Sequence, residues 1–302
     1  MALDPRELVE LEAARPDLGQ PVLIQALDGF VDAGGGRRLA REHLLEAGDP
    51  VVVARFDVDQ LLDYRARRPP MVFIEDHWES YLAPELVIHA LEDAAGTPYL
   101  LLSGPEPDYQ WERFVAAVGL VVEALGVRLS VGLNAIPMGV PHTRPVGVIA
   151  HATRPEIVSD FESWVQAVQV PGAAGHLLEF RLGQSGVDAA GFAAHVPHYV
   201  AATDYPAAAD ALLQSVSRIS GLVLPTDALA TAAVETRRLI DDQVAQSEDV
   251  VSVVRALEAQ YDEFVAGRGP RLVADGSALP TADEIGAELE RFLAEHRGPT
   301  DV

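Results

Sequence analysis

The chain has 302 residues, of which 22 are basic and 46 acidic, a formal net charge of −24 at pH 7. That charge repels phosphate backbones and argues against nucleic acid as a partner. Apolar residues make up 49% and charged residues 23%, which argues against disorder and leaves ample chain to bury the core of one large domain or two. Cysteine is absent and every basic residue is an arginine, which excludes thiolate chemistry, disulfides, cysteine-held zinc, Schiff bases and a Walker-type phosphate lysine.

The N-terminal stretch MALDPRELVELEAARPDL is acidic and broken by proline, and no run of eighteen apolar residues occurs. Neither a signal peptide nor a membrane span is expected, and the expected compartment is the cytoplasm. In chain order, Pro21–Leu27 (PVLIQAL) is a buried-strand candidate, followed by the turn DGFVDAGGG and a helix over Gly36–Ala47. Pro50–Phe56 reads as a second strand, and its continuous apolar run predicts a parallel, doubly covered sheet. Met71–Glu75 and Glu85–Leu91 read as two strands of an antiparallel hairpin, because the loop between them is too short for a crossover helix. Thr97–Gly104 is a strand and Asp108–Leu125 a helix, and Arg128–Leu133 and Val146–Ala152 are further strands.

The second half is less regular. Short helices are predicted near Pro155–Val165 and Gly175–Leu182, a strand at His198–Ala202, and a helix at Pro206–Ser220 with proline in its first turn. From Thr226 to about Ala266 apolar residues recur every three or four positions, with a break that Ser247 can cap and Gly267 as the stop, which predicts a helical hairpin or one kinked helix. Beyond it, RGPRLVADGSALP reads as a linker, and Thr281–Glu284 as a capping box for a last helix carrying Ile285, Leu289, Phe292 and Leu293. The expected organisation is an α/β core over residues 1–224, a helical extension over 225–267, and a linker with a short helix over 268–302.

Several motifs carry chemistry. The Gly34-Gly35-Gly36 turn lets a backbone approach closely, and amides at a helix start favour an anion, although Asp28 and Asp32 oppose a phosphate and a tight strand–helix connection explains the glycines as well. Glu106 lies in Ser103-Gly104-Pro105-Glu106-Pro107-Asp108, at a strand's carboxyl end where open α/β sheets bind ligands. In the same segment Asp108 reads as the N-cap of the next helix. His142 and Arg144 in Pro141–Pro145, with His151 across the following strand, form an anion-binding or proton-transfer kit. The run Tyr64-Arg65-Ala66-Arg67-Arg68-Pro69-Pro70 is the basic cluster of an acidic chain, and fits either a carboxylate-binding patch or a solvated helix end. Neither Glu75–Glu79 nor Asp57-Val58-Asp59 nor His195/His198 matches a metal motif, and Gly183–Val187 lacks the second glycine of G-x-S-x-G, so no metal, no cofactor and no serine-hydrolase site is expected.

Taken in order, Asp28-Gly29 with the Gly34–Gly36 turn, Asp63–Pro69, Trp78/Tyr81/Pro84, Gly104–Asp108 with Trp111, and Pro137-Met138 through Pro145 resemble the proteasome assembly chaperone family. The likeness is to the branch typified by the second eukaryotic subunit and its prokaryotic relatives, and most to actinobacterial members. It implies an α/β/α sandwich of the nucleoside-phosphorylase-like type with a C-terminal helical extension, and a non-enzymatic role binding protein subunits, with those of the proteasome as candidates. It also implies self-association, with a trimer as the candidate state, and supplies no catalytic residues. The sequence departs from the pattern at Gly298-Pro299-Thr300-Asp301-Val302, which lacks the penultimate tyrosine of proteasome-docking tails.

Two readings follow. A chaperone-like scaffold predicts an exposed apolar patch and no buried polar cleft. A small-anion or nucleoside-like ligand-binding protein, or a hydrolase or phosphorylase-type enzyme, predicts that Gly34, Gly35, Gly36, Glu106, His142, Arg144 and His151 converge on one concave site.

Overall fold

A computed structural model describes residues 3–161 and 167–267; the expected linker and last helix lie outside the described residues. Its centre is an eight-stranded mixed sheet. In chain order the strands are β1 (Val9–Leu11), β2 (Val22–Asp28), β3 (Val51–Phe56), β4 (Met71–Ile74), β5 (His77–Tyr81), β6 (Val87–Glu92), β7 (Pro98–Pro105), β8 (Leu129–Met138), β9 (Val148–Ala152) and β10 (Ala189–Pro197). The sheet order is β1-β3-β6-β7-β2-β8-β10-β9, while β4 and β5 form a separate two-stranded ribbon.

Among the described residues six α-helices flank the sheet: α1 (Gly36–Ala47), α2 (Trp111–Ala124), α3 (Ala174–Gln184), α4 (Pro206–Ser220), α5 (Asp227–Val244) and α6 (Glu248–Val265). Alternation along the central strands divides the core. Val22, Ile24 and Ala26 of β2 pack with Val131 and Leu133 of β8 beneath α1 and α4, and Leu229 of α5 joins this layer. Leu23 and Leu27 point the other way, towards Phe114, Val118 and Val122 of α2 and Leu178 and Leu182 of α3. The result is an α/β/α sandwich, as the resemblance implied.

Strands β2, β7, β8 and β10 run parallel, which their unbroken apolar character requires of strands covered on both faces. Strand β3 is the exception to the parallel expectation: it pairs antiparallel with both β1 and β6, at the side of the sheet away from β10. The expected hairpin is also re-partnered. Strand β4 turns back through Glu75 and Asp76 to pair with β5, and the segment read as its partner becomes β6, a sheet strand between β3 and β7. The residues between them, too few for a crossover helix, were enough for a strand of their own.

The predicted strand at His198–Ala202 is a short 3-10 turn, His198–Val200. The strand lies immediately before it, where β10 is buried at all nine positions. Its sequence AAGFAAHVP is poor in the branched residues that mark strands, and small side chains are what a strand pressed between two helical layers accommodates. The stretch read as a helical hairpin or one kinked helix is two helices, α5 and α6, with Ser247 accepting from the Val250 amide at 3.5 Å to start α6. Among the described residues no helix is long and apolar enough to cross a membrane.

The glycine turn sets how closely α1 approaches its neighbours. A Cβ on Gly36 would lie 2.9 Å from Ala135 Cβ and 3.0 Å from Ala208 Cβ, and one on Gly34 would lie 2.6 Å from Tyr205 Cβ. Gly34 also has φ +62°, a conformation only glycine adopts without strain. The anion position at the start of α1 is filled by the chain itself: Asp32 accepts from the amides of Arg37 at 2.7 Å and Arg38 at 3.0 Å. Gly36→Ala is therefore expected to overpack the α1–α4–β8 junction and destabilise the fold by about 1–3 kcal/mol, read as a lowered denaturant midpoint.

Candidate functional site

The seven candidate residues fall into three places. Gly34, Gly35 and Gly36 form the packing turn just described. His142 and Arg144 clasp the helical hairpin, and only Glu106 and His151 line a common chamber.

The clasp is built by the loop Pro141–Pro145. The backbone N–H of His142 donates to Tyr199 Oη at 2.8 Å, its Nδ1 lies 2.7 Å from the same hydroxyl, and its Nε2 lies 2.9 Å from Asp241 Oδ1 on α5. A neutral imidazole with its proton on Nε2 satisfies all three bonds: Tyr199 accepts from the amide and donates to Nδ1, and Nε2–H donates to Asp241. Arg144 makes a two-pronged pair with Asp262 on α6, at 2.8 and 2.7 Å, and a third bond to Glu258 at 3.2 Å. Asp262 and Glu258 together hold the Arg144 guanidinium well above its usual pKa. These two residues are spent on the chain's own helices. Arg144→Met is expected to speed hydrogen exchange of the α6 amides and to expose Ser247–Gly267 to protease, while α4 and the central strands keep their protection.

The chamber is a consequence of register. Gln25 of β2 pairs with Gly132 of β8, Gly132 with Gly191 of β10, and Gly191 with His151 of β9. One cross-strand row thus carries two side chains separated by two glycines; Gly191 admits the His151 ring and Gly132 leaves a hollow on the face covered by α3. The inner space is about 50 Å³, several times the ~10–15 Å³ that holds one water. Its walls include Phe30, Arg37, Glu106, Asn134 and, from α3, Gly175, His176 and Glu179. His151, His176 and Glu179 also line an adjoining outer cleft of about 810 Å³ with Trp111, Val170, Pro171, Leu177 and Phe180 on its walls.

Glu106 is held at the root of this space. Its backbone N–H donates to Asp28 O at 2.5 Å, and its Oε1 accepts from the Ala174 N–H at the start of α3 at 2.5 Å. Asp108 does not cap α2. It accepts instead from the Asp63 N–H at 2.7 Å and pairs with Arg67 at 2.9 Å, and the residue before α2 is Gln110. The basic cluster therefore turns one arginine inward rather than presenting them all to solvent.

Two imidazoles edge the chamber, 6.4 Å apart between ring centres, and their pKa values move in opposite directions. Burial pulls His151 down, but the hydrogen bond from Nδ1 to Glu179 at 2.8 Å and the charge behind it outweigh burial, and its pKa ends above the ordinary value. Burial and the neighbouring His151 both push His176 below it. Because the folded pKa of His151 is raised, its pair with Glu179 adds stability in full below the unfolded value of about 6.5 and loses it as pH rises through the folded value. The melting temperature of His151→Gln is expected to fall short of the parent's most at about pH 5.5, with the gap closing by about pH 8.5.

Two further polar atoms of the chamber wall are buried without a hydrogen-bond partner. Gln25 is 3% exposed; its Nε2 bonds Ser130 Oγ at 2.7 Å and its Oε1 bonds nothing. Arg37 is 4% exposed; its Nη2 donates to Phe30 O at 3.1 Å and its Nε has no partner. Gln25, Arg37, His176 and Glu179 were not singled out from the sequence. The one signal was a glutamine in the middle of the apolar strand PVLIQAL.

The PAC2 family model matches residues 26–244, which takes it through the end of α5. A Mycobacterium tuberculosis protein of unknown function is 51% identical, with a TM-score of 0.81 over 86% of this chain and 92% of its own. A Corynebacterium glutamicum protein of unknown function is 40% identical, with a TM-score of 0.81 over 85% of this chain and 98% of its own. A Mycobacterium tuberculosis proteasome-assembly chaperone homologue is 26% identical, with a TM-score of 0.70 over 77% of this chain and 99% of its own. No curated protein matches the sequence.

Proposed function

Given that the chain belongs to the PAC2 family, we propose that it is a non-enzymatic, chaperone-like protein of the cytoplasm that binds protein subunits, with subunits of the proteasome as the first clients to test. Similarity to a proteasome-assembly chaperone homologue supports the class of role. The observation that carries the reading is the β4–β5 ribbon. Every residue of both strands is exposed, including Met71, Val72, Phe73, Ile74, Trp78 and Tyr81.

Such a ribbon is expensive in water. A two-stranded hairpin is marginal on its own, its outer edges offer unpaired backbone groups, and Trp78 and Phe73 stand 63% and 54% exposed. Their rings meet edge to face at 5.2 Å, a preformed aromatic knob of the kind that anchors protein interfaces. The partner that suits it is a folded subunit with an apolar groove, and the acidic residues Glu75, Asp76 and Glu79 around the tip suit a basic rim to that groove.

The test is direct mixing of the purified protein with purified α-type proteasome subunits from the same organism, read by co-elution and by titration calorimetry. The expected result is a complex that Trp78→Glu and Phe73→Asp each weaken at least tenfold while the melting temperature holds. A complex indifferent to both substitutions, or none at all, overturns the proposal. Sedimentation of the protein alone, before and after the same substitutions, separates client binding from self-association into the trimer that the resemblance suggests: loss of the oligomer in the variants would place a second copy on the ribbon instead.

A further inference from the structure

We propose that the chamber between β2, β8, β10 and α3 is a binding site for a small amphipathic molecule with a neutral, amide-type polar head and an apolar body. The site stands on features separate from the ribbon, so it is independent of the client-binding reading.

The first ground is the pair of orphaned polar atoms. Gln25 Oε1 needs a hydrogen-bond donor and Arg37 Nε–H needs an acceptor, both sit more than nine-tenths buried, and both residues line the same space. Such groups are costly to leave unpaired, and one molecule carrying both a donor and an acceptor satisfies both. A carboxamide does this with three heavy atoms, a size that suits an inner space of about 50 Å³.

Charge selects against the alternatives. Arg37 stands on one side of the chamber with Asp32 4.0 Å from its guanidinium, and Glu106 and the Glu179–His151 pair stand on the others. An anionic head would face two carboxylates, and a cationic head would face Arg37, in a site where burial strengthens either repulsion. His176, whose pKa burial holds down, adds a neutral imidazole beside the head rather than a further charge. A neutral head meets no like charge.

The second ground is shape. The hollow lies over Gly132, where a Cβ would have only Ala190 O near it, at 3.9 Å, while Gly191 makes room for the His151 ring, whose Cε1 would lie 2.2 Å from a Cβ there. The outer cleft of about 810 Å³, walled by Trp111, Val170, Pro171, Leu177 and Phe180, offers the apolar surface that a head without a body would not use.

Three phenyl probes of similar size carry a neutral, an anionic and a cationic head: benzamide, benzoate and benzylammonium. Titrated against the full chain and followed by amide chemical shifts, benzamide is expected to bind with a dissociation constant on the order of 1 mM, typical of so small a ligand, and to shift α3 and β8 resonances. Benzoate and benzylammonium are expected to bind at least tenfold more weakly. Gly175→Leu should abolish benzamide binding with the fold intact, since a Cβ on Gly175 meets nothing nearer than Gln25 Oε1 at 3.7 Å and the added bulk enters the chamber. Gln25→Met should weaken benzamide at least fivefold in a protein that still unfolds cooperatively. The ribbon variants Trp78→Glu and Phe73→Asp should leave benzamide binding unchanged. Equal binding of all three probes, preference for either charged one, or benzamide binding that survives Gly175→Leu overturns the proposal.

Discussion

Burial of the central strands on both faces is the constraint from which the rest of this molecule follows. Strands β2, β8 and β10 lie under α1 and α4 on one side and α2 and α3 on the other, so no side chain along their middle reaches water by pointing either way. Such strands must be apolar, and β2 and β10 nearly are. A polar group placed there must find its partner inside the protein or go without. Gln25 finds half of one, through Ser130. The same constraint makes small residues useful, because each glycine or alanine on these strands sets how near a helix can come. Gly36 against Ala135 and Ala208 closes one such approach completely, Gly191 admits the His151 ring, and Gly132 leaves space open.

The periphery obeys the opposite rule. With no lysine in the sequence, arginine is the only strong side-chain cation available to join elements, and the chain uses its forked geometry for that purpose. Arg144 holds α6 through Asp262 and Glu258, and Arg154 holds Asp188 before β10. A lysine at position 144 would offer one charge point where two parallel bonds are made. The hairpin α5–α6 otherwise presents mostly exposed residues, with Leu229 and Val254 as its buried ones, so its position on the core depends heavily on this clasp and on the His142–Asp241 bond.

Much of the fold was legible because its signals are local. The bounds of α1 and α4, the break at Ser247 and the strands β2 and β7 follow from apolar periodicity and caps. The misread elements depend on partners distant in sequence. The antiparallel setting of β3 is decided by β1 and β6, and the strandhood of AAGFAAHVP by the two layers that enclose it. The candidate site shows the same limit. Glu106 and His151 could be picked out by residue type at strand ends. His142 and Arg144, chosen by the same rule, turn to α5 and α6, whose acidic residues lie about a hundred positions away. The row Gln25–Gly132–Gly191–His151 exists only through the register of four strands, and nothing in the spacing of those residues along the chain records it.

The ribbon and the chamber, though separate in chemistry, share a root. The segment that leads into β4 is held by Asp108, which accepts from the Asp63 amide and pairs with Arg67. Two residues earlier, Glu106 is tied to Asp28 on β2 and to the first amide of α3. Arg67 reaches the same place from the other side, its Nη1 lying 3.4 Å from Asp28 O. Gly29 closes the junction: a Cβ there would lie 2.8 Å from Glu106 Cβ and 3.1 Å from Arg67 Nη2, and φ +144° at this position is itself a conformation that favours glycine. A continuous set of hydrogen bonds therefore runs from the base of the exposed aromatic arm to the wall of the buried chamber, crossing the carboxyl ends of β2 and β7 where α/β sheets place their ligands. The Asp28–Gly29, Asp63–Pro69 and Gly104–Asp108 segments, which stand far apart in the sequence and which carried the family resemblance, meet at this one junction. Their common physical task is to fix the arm to the sheet.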